Sequence, residues 1–337
     1  MFTYILRRFI QLIPTFVGAT LLAFFIIQLA PGDYLTQRLL DPNVRPETIE
    51  RLRAQFGLDQ PIYIQYLLWM NNLLQWPPQL GYSFSTQRDV WELAAPRVAN
   101  SFILVIASTI LLYLIAIPIG IYSAVRQYSW PDRIISFISY IFLATPSFFF
   151  ALIMIYLVLQ LNFWMRDAFN LGSNFLILPV GGMTSSGHEA FPWWRQVLDI
   201  AWHALIPVLV ATSQDIGGFT RFMRGQMLDV LGQDYIRTAR AKGLSERVSI
   251  YKHALRNAVI PFIAGIGGIL PALVGGVGFI EVVLNWPGVT PFYLEALASQ
   301  DLYVLTGFLV ITLVLLMIGN LISDLLLALV DPRIRYY

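Results

Sequence analysis

An all-α, polytopic membrane protein with six transmembrane helices is the fold class this sequence predicts, and three observations carry it. The 337 residues are 57% hydrophobic and only 12% charged, against about 25% charged in a soluble domain. Apolar runs long enough to cross a hydrocarbon core of about 30 Å fall at about 9–30, 101–125, 134–160, 201–222, 258–284 and 303–330. Pro118, Pro146, Pro207, Pro261 and Pro271 lie within or near the edges of these runs, where neighbouring helices and water satisfy the freed carbonyls.

Taken in order, Arg7 and Arg8 precede the apolar run from Phe9 to Ala30, a plan that resembles a secretion signal. The run is near a full bilayer span, whereas a secretory apolar region is about 7–15 residues. Pro31-Gly32-Asp33 offers no small-x-small cleavage site, so residues 1–30 read as a retained first helix. An external segment, 31–100, follows and is large enough for a small folded extension. Its stretch PETIERLRAQFGL sets Ile49, Leu52 and Phe56 at helical spacing with acids near the start, which reads as a short amphipathic helix. Residues 101–337 form the core domain with the remaining five spans, a cytoplasmic loop at 223–257, an external loop at about 161–200 and a short turn near 285–302. Gly265, Gly267, Gly268, Gly275, Gly276 and Gly278 make the fifth span smooth, as close helix packing requires. Trp76, Trp164, Trp193, Trp194, Trp202 and Trp286 gather at the outer ends of spans, where indole rings sit at headgroup level. No internal repeat or low-complexity linker is present.

Orientation follows from the bias of Lys and Arg toward cytoplasmic loops. Fourteen of the 22 fall in the segments that face one side if the N-terminus is cytoplasmic: Arg7, Arg8, Arg126, Arg133, eight residues from Arg221 to Arg256, Arg333 and Arg335. Both lysines, Lys242 and Lys252, are among them. The chain is thus expected to be multi-pass with both termini cytoplasmic.

Several chemistries are missing from the sequence. His188, His203 and His253 are far apart and no HExxH occurs, so a zinc protease lacks its ligands. There is no cysteine, hence no disulfide framework or thiolate metal site. Neither lysine follows a glycine as in a phosphate-cradling Walker A loop, so any ATP must be hydrolysed by another chain. A net charge of +2 argues against nucleic acid as the main ligand, because neutralising phosphates needs a concentrated basic field. No catalytic residue and no metal ligand is assigned.

Acids within spans are candidates for function because burying a charge in lipid costs at least about 2.5 kcal/mol. Asp215, beside Ser213 and Gln214 in the fourth span, has two readings: Gln214 and Asp215 line a polar path, or Asp215 pairs with Arg221. Asp324, one turn after Asn320, reads as a structural hydrogen-bonding group, and Glu281 falls close to the outer surface. Two separated acids make a poor proton relay, which disfavours an ATP-independent secondary transporter.

The stretch DYIRTARAKGLSER, 234–247, is polar and basic in a greasy chain. Asp234 is placed to cap a helix and Gly243 to end it in the left-handed conformation. Ser245 then caps a second helix with Glu246 at its positive end, and Val248, Tyr251, Leu255 and Ala258 form a stripe leading into the fifth span. A helix of two turns is unstable alone, so neighbours must hold it. Ala239, Ala241 and Gly243 permit close approach of another surface, and Arg237, Arg240 and Lys242 supply charge around that contact. A DNA-reading helix-turn-helix does not fit, since both ends are tethered into spans.

With HALRNAVIP after it, this stretch resembles the cytoplasmic docking loop of permease subunits of bacterial ABC importers, in the dipeptide and oligopeptide branch, and specifically its first, B-type chain. ILRRFIQLIPT and LAPGD at the start, FGLDQPIYIQY and GYSFST outside, and LVDPRIR at the end are similar to the same subunit type. Arg237-Thr238-Ala239 stands where the general importer motif has Glu-Ala-Ala, Gly243 where it has glycine, and Leu255-Arg256 where it has Leu-Pro; this variant is similar to the peptide branch. The resemblance implies a type I ABC importer permease fold in the bacterial cytoplasmic (inner) membrane. It also implies a second homologous permease chain, two cytoplasmic ATP-binding subunits and an external substrate-binding protein. The coupling residues would be Asp234, Tyr235, Arg237, Thr238, Ala239, Arg240, Ala241, Lys242, Gly243 and Leu244. The chain itself would bind no cofactor, ATP and Mg being used by the ATPases. Importers of nickel, opines or sugars share the pattern and stand as the alternative to peptides.

The missing phosphate loop has a direct consequence: the purified chain alone releases no phosphate from ATP above a protein-free blank. Turnover by this chain without partners, in a phosphate-release assay, contradicts the reading.

Overall fold

The structure, a computed structural model, describes residues 2–29, 59–83, 85–86, 88–170, 178–275 and 277–330. The amphipathic helix expected at 46–58 and the basic residues Arg333 and Arg335 lie outside the described residues.

Helices dominate the described residues: α1 (Phe2–Leu29), α2 (Ile62–Leu73), α3 (Val90–Val125), α4 (Trp130–Ala144), α5 (Ser147–Phe169), α6 (Trp193–Leu231) and α7 (Asp234–Ala241). They continue with α8 (Glu246–Ala272), α9 (Phe279–Val283), α10 (Val289–Ala298) and α11 (Leu302–Val330). Helices α3, α5, α6, α8 and α11 are each long and apolar enough to cross a membrane, and α1 carries a shorter apolar stretch, Ile10–Ile26. At 1.5 Å per residue the 36 residues of α3 and the 39 of α6 reach well beyond a hydrocarbon core of about 30 Å.

Three expectations need correction. The third span, read as 134–160, is broken at Thr145, which is extended at φ −94° and ψ 119° before Pro146. Proline clashes with an α-helical residue before it, so α4 ends there and the span is α5. The fifth span starts at Glu246 rather than 258; its helical path contains a π-turn at Ser249–Ala254 and a 3₁₀ turn at Ile266–Gly268. The turn expected at 285–302 holds the ten-residue helix α10. Helix α2 was not anticipated.

The described chain forms two compact units, one of residues 1–97 and 292–318, the other of 98–291 and 319–337. In the first, Tyr66 of α2 shares a 3.1 Å hydrogen bond with Thr20 of α1, and Phe24, Tyr66 and Trp69 stack. The GYSFST stretch is held by the fully buried Asp301, which accepts from Ser83 Oγ at 2.7 Å and from Ser85 N at 3.2 Å.

In the second unit Asp132, at the start of α4, joins three segments. Its carboxylate accepts from Ser123 Oγ of α3, from Tyr128 N at 2.9 Å and from Arg224 Nη2 of α6 at 3.2 Å. Burial pushes this carboxyl up, but the hydrogen bonds and the Arg224 charge outweigh it, and the pKa lies below the ordinary value. A lowered carboxylate pKa stabilises the fold fully above the unfolded value, and that contribution is lost as pH falls through the folded one. The junction is therefore intact at neutral pH.

Glycines set the helix approaches. A Cβ on Gly217 would overlap the Ser139 carbonyl of α4, and a Cβ on Gly319 of α11 would overlap the Gly267 carbonyl of α8. Gly267 is thus the close-packing glycine expected in the fifth span, and Ser323 reinforces the contact by donating to Ala264 O at 2.8 Å. Gly265 and Gly268 meet nothing within 4 Å and do something else. Accordingly, Gly319→Val should force α8 and α11 apart, costing about 1–3 kcal/mol as overpacking does and lowering the melting temperature in detergent. Gly265→Ala should leave it unchanged, and equal shifts for the two would contradict the packing assignment.

Candidate functional site

Two features stand out in the second unit: an exposed capped helix after α6, and a cavity between α3, α6 and α8. The capped helix is α7. Asp234, expected as its N-cap, is instead its first residue; Gln233 takes the cap position with extended backbone and no side-chain hydrogen bond. Asp234 still sits favourably at the positive helix end. Its carbonyl accepts from Thr238 Oγ1 at 2.9 Å.

The C-terminal end is as the sequence predicts. Gly243 has φ +81°, a conformation that costs other residues about 1–2 kcal/mol. Its N–H donates to Arg240 O at 2.9 Å, and Leu244 N donates to Ala239 O at 3.3 Å. This pair of bonds is the Schellman arrangement, which satisfies the orphan carbonyls of the last turn. Ser245 then caps α8 through Val248 N at 3.4 Å, and Arg240 clasps Glu246 across the glycine turn with bonds of 3.0 and 2.6 Å.

The side chain that anchors α7 is Ile236, fully buried against Met223, Met227, Ile250 and Ala254. Ala239 is also buried, so it seats α7 on its own chain instead of facing a partner as expected. The i, i+3 spacing of Ile236 and Ala239 was the available signal. Of the stripe expected at Val248, Tyr251, Leu255 and Ala258, Ala258 is buried and Leu255 packs part-buried against the same core, but Tyr251 is exposed, and Ile250 and Ala254 are the other buried positions. The π-turn through Ser249–Ala254 shifts the register that an uninterrupted α-helix would give. Asp234, Tyr235, Arg237, Thr238, Arg240, Ala241, Lys242, Gly243 and Leu244 remain exposed, with Tyr235 Oη accepting from Asn257 Nδ2 at 2.7 Å.

The cavity has a volume of about 670 Å³. Gln214 and Asp215 of α6 line it together with Ser108 and Thr109 of α3 and Gly265 and Gly268 of α8. One and two turns further along α6 come Phe219 and Phe222, which with Tyr113 and Phe262 form a cluster of rings 5.1–6.1 Å apart. Polar and small residues thus occupy one level and aromatic rings the next. Asp215 does not pair with Arg221; that guanidinium donates to Gly217 O at 3.2 Å and lies 4.7 Å over the Tyr140 ring. Among the described residues Asp215 has no hydrogen-bond or ion-pair partner.

Glu281 and Trp286 are, by contrast, enclosed in protein. Glu281 accepts from Ser101 Oγ at 2.6 Å and from Thr290 N at 2.8 Å, capping α10, and Gly288 leaves no room for a Cβ beside its carboxylate. Trp286, expected at headgroup level, is fully buried and donates to Asn100 O at 3.1 Å. Asp324 on α11 is part-buried and engaged.

Long apolar helices, an internal cavity and an exposed capped helix between two spans define a membrane transport subunit. Residues 116–336 match the family described as binding-protein-dependent transport system inner membrane component, and residues 1–105 match the N-terminal domain of such membrane components. The chain is 39% identical to the oligopeptide transport system permease protein AppB of Bacillus subtilis (strain 168), over 100% of each chain. It is 32% identical to the dipeptide transport system permease protein DppB of Escherichia coli (strain K12), over 100% of this chain and 99% of that one. The di/tripeptide transport system permease protein DppB of Pseudomonas aeruginosa (strain UCBPP-PA14) is also 32% identical, with the same coverage. The chain belongs to the inner membrane components of binding-protein-dependent transport systems, and is a multi-pass inner membrane protein.

The cap geometry makes a local prediction. Gly243→Val should strain the turn by about 1–2 kcal/mol and fray α7, read as faster amide exchange across 234–244, whereas Gly243→Asn should do so less. Unchanged exchange in both variants contradicts the role of the turn.

Proposed function

We propose that this chain is the permease subunit of an ATP-driven importer of di- or oligopeptides and forms half of the translocation path. The observation that carries this reading is end-to-end similarity to three peptide permeases, in a chain whose α7 is held rigidly yet leaves its polar face exposed. In this reading α7 docks on a cytoplasmic ATPase through Tyr235, Arg237, Thr238, Lys242 and Leu244. The Arg240–Glu246 clasp and the buried Ile236 fix α7 to α6 and α8, so a displacement of the ATPase reaches the helices that line the cavity. A second homologous permease chain completes the path, two ATP-binding subunits hydrolyse ATP with Mg, and an external binding protein delivers the peptide. Both termini and the 223–257 loop are cytoplasmic, in keeping with the distribution of Lys and Arg. Gln214 and Asp215 line the path.

The test is reconstitution of the full complex in liposomes. Accumulation of a peptide should require ATP, and Leu244→Asp, which places a charge at the exposed turn that ends α7, should lower it by at least about tenfold, or 1.4 kcal/mol of coupling. Chain levels in the membrane should stay the same. Accumulation that proceeds without ATP, or that survives this change in full, overturns the docking assignment.

A further inference from the structure

We propose that Asp215 is a subsite for a protonated amine, taking the amino terminus of the peptide while its carboxyl terminus goes unbound by charge. The inference rests on the peptide-importer reading and concerns one cavity within the second unit.

The first support is the isolation of the carboxylate. A charge in a membrane-spanning helix is expensive unless paired, and Glu281 and Asp132 each collect two or more donors. Asp215, in contrast, has no partner among the described residues and is exposed to the cavity that it lines. The nearest candidate cation along α6, Arg221, is occupied by the Gly217 carbonyl and the Tyr140 ring. A carboxylate left open to a solute-sized space is matched by a cation that arrives with the solute.

The second support is the chemistry around it. Ser108 and Thr109 line the same level, and both hydroxyls already donate to Val105 O, at 3.1 and 2.7 Å. A hydroxyl that has spent its proton can only accept. An ammonium, with three donors and no acceptor, is the complement of one carboxylate and two such oxygens. One turn away the rings of Tyr113, Phe219 and Phe262 line the same cavity, and aromatic rings are the apolar groups best suited to a desolvated cation.

The third support is what the lining lacks. Among the described residues it contains no Lys, Arg or His, so no cation there pairs with a carboxylate, and Gln214 offers only a neutral amide donor. The cavity discriminates between the two ends of a peptide.

The experiment uses the full complex in liposomes and three forms of one tripeptide with neutral side chains: both ends free, N-acetylated, and C-amidated. For each form, uptake by wild type is divided by uptake by Asp215→Asn. The external binding protein is common to numerator and denominator, so its own preference cancels. The expected ratio is about tenfold or more for the free and C-amidated forms and near one for the N-acetylated form. Equal ratios for all three overturn the subsite. If wild type does not carry the acetylated form, Asp215→Glu decides: it should keep uptake of the free peptide within a few-fold of wild type where Asp215→Asn does not, and equal loss in both overturns the proposal. Transport of none of the three by wild type would remove the peptide reading and the subsite with it. Failure of the subsite alone looks different, because wild type and Asp215→Asn then carry the peptides alike.

Discussion

A carboxylate removed from water has to find donors, and that requirement organises much of this protein. Asp132 gathers a serine, a backbone N–H and an arginine at the junction of α3, α4 and α6. Asp301 gathers the hydroxyl and backbone of the GYSFST stretch. Glu281 gathers Ser101 and the first turn of α10. Each acid would cost several kcal/mol if left bare in an apolar interior, so each fixes the segments that supply its donors. Asp215 departs from this rule and lies where a solute has room.

Rigidity in α7 comes from a different source. Eight residues are too few to hold a helix in water, and three separate devices compensate: Ile236 in the core, the left-handed Gly243, and the Arg240–Glu246 clasp. The clasp is exposed at both ends, so on its own it contributes little, about 0–1 kcal/mol. Its value is geometric, since it spans the turn and ties α7 to the start of α8. A docked partner that moves α7 must then move α6 and α8 with it, and those helices line the cavity.

Much of this was legible in the sequence, and the exceptions have physical causes. Spans could be located because lipid demands unbroken apolar runs, and the cap at Gly243 because few residues accept a positive φ. Pro146 was visible too, but the helix break it makes at Thr145 was not, because other prolines here, such as Pro207, sit inside a continuous helix. The π-turn at Ser249–Ala254 has no periodic signature, and within it Ile250 and Ala254 take the buried positions while Tyr251 of the predicted stripe is exposed. Trp286 reads as an interfacial ring from sequence, yet its N–H finds Asn100 O inside the protein; only the fold brings those residues together. Asp215 and Gln214 were recognisable as polar groups in a span, but the choice between pairing with Arg221 and facing a cavity needed the position of Gly217 O and Tyr140.

A transport path has to bind its solute weakly enough to release it, a constraint shared by channels and carriers. If the cavity is that path, as proposed, one fixed charge, two acceptor hydroxyls and aromatic rings meet the condition better than a pocket matched at both ends. The glycines add to it. Gly267 lets α8 pack against α11, while Gly265 and Gly268 turn a bare backbone toward the cavity and leave it wide without adding contacts that would read side chains. Peptides share a backbone and an amine and differ in everything else. A lining that engages the amine and ignores the rest leaves the selection of sequence to whatever delivers the peptide.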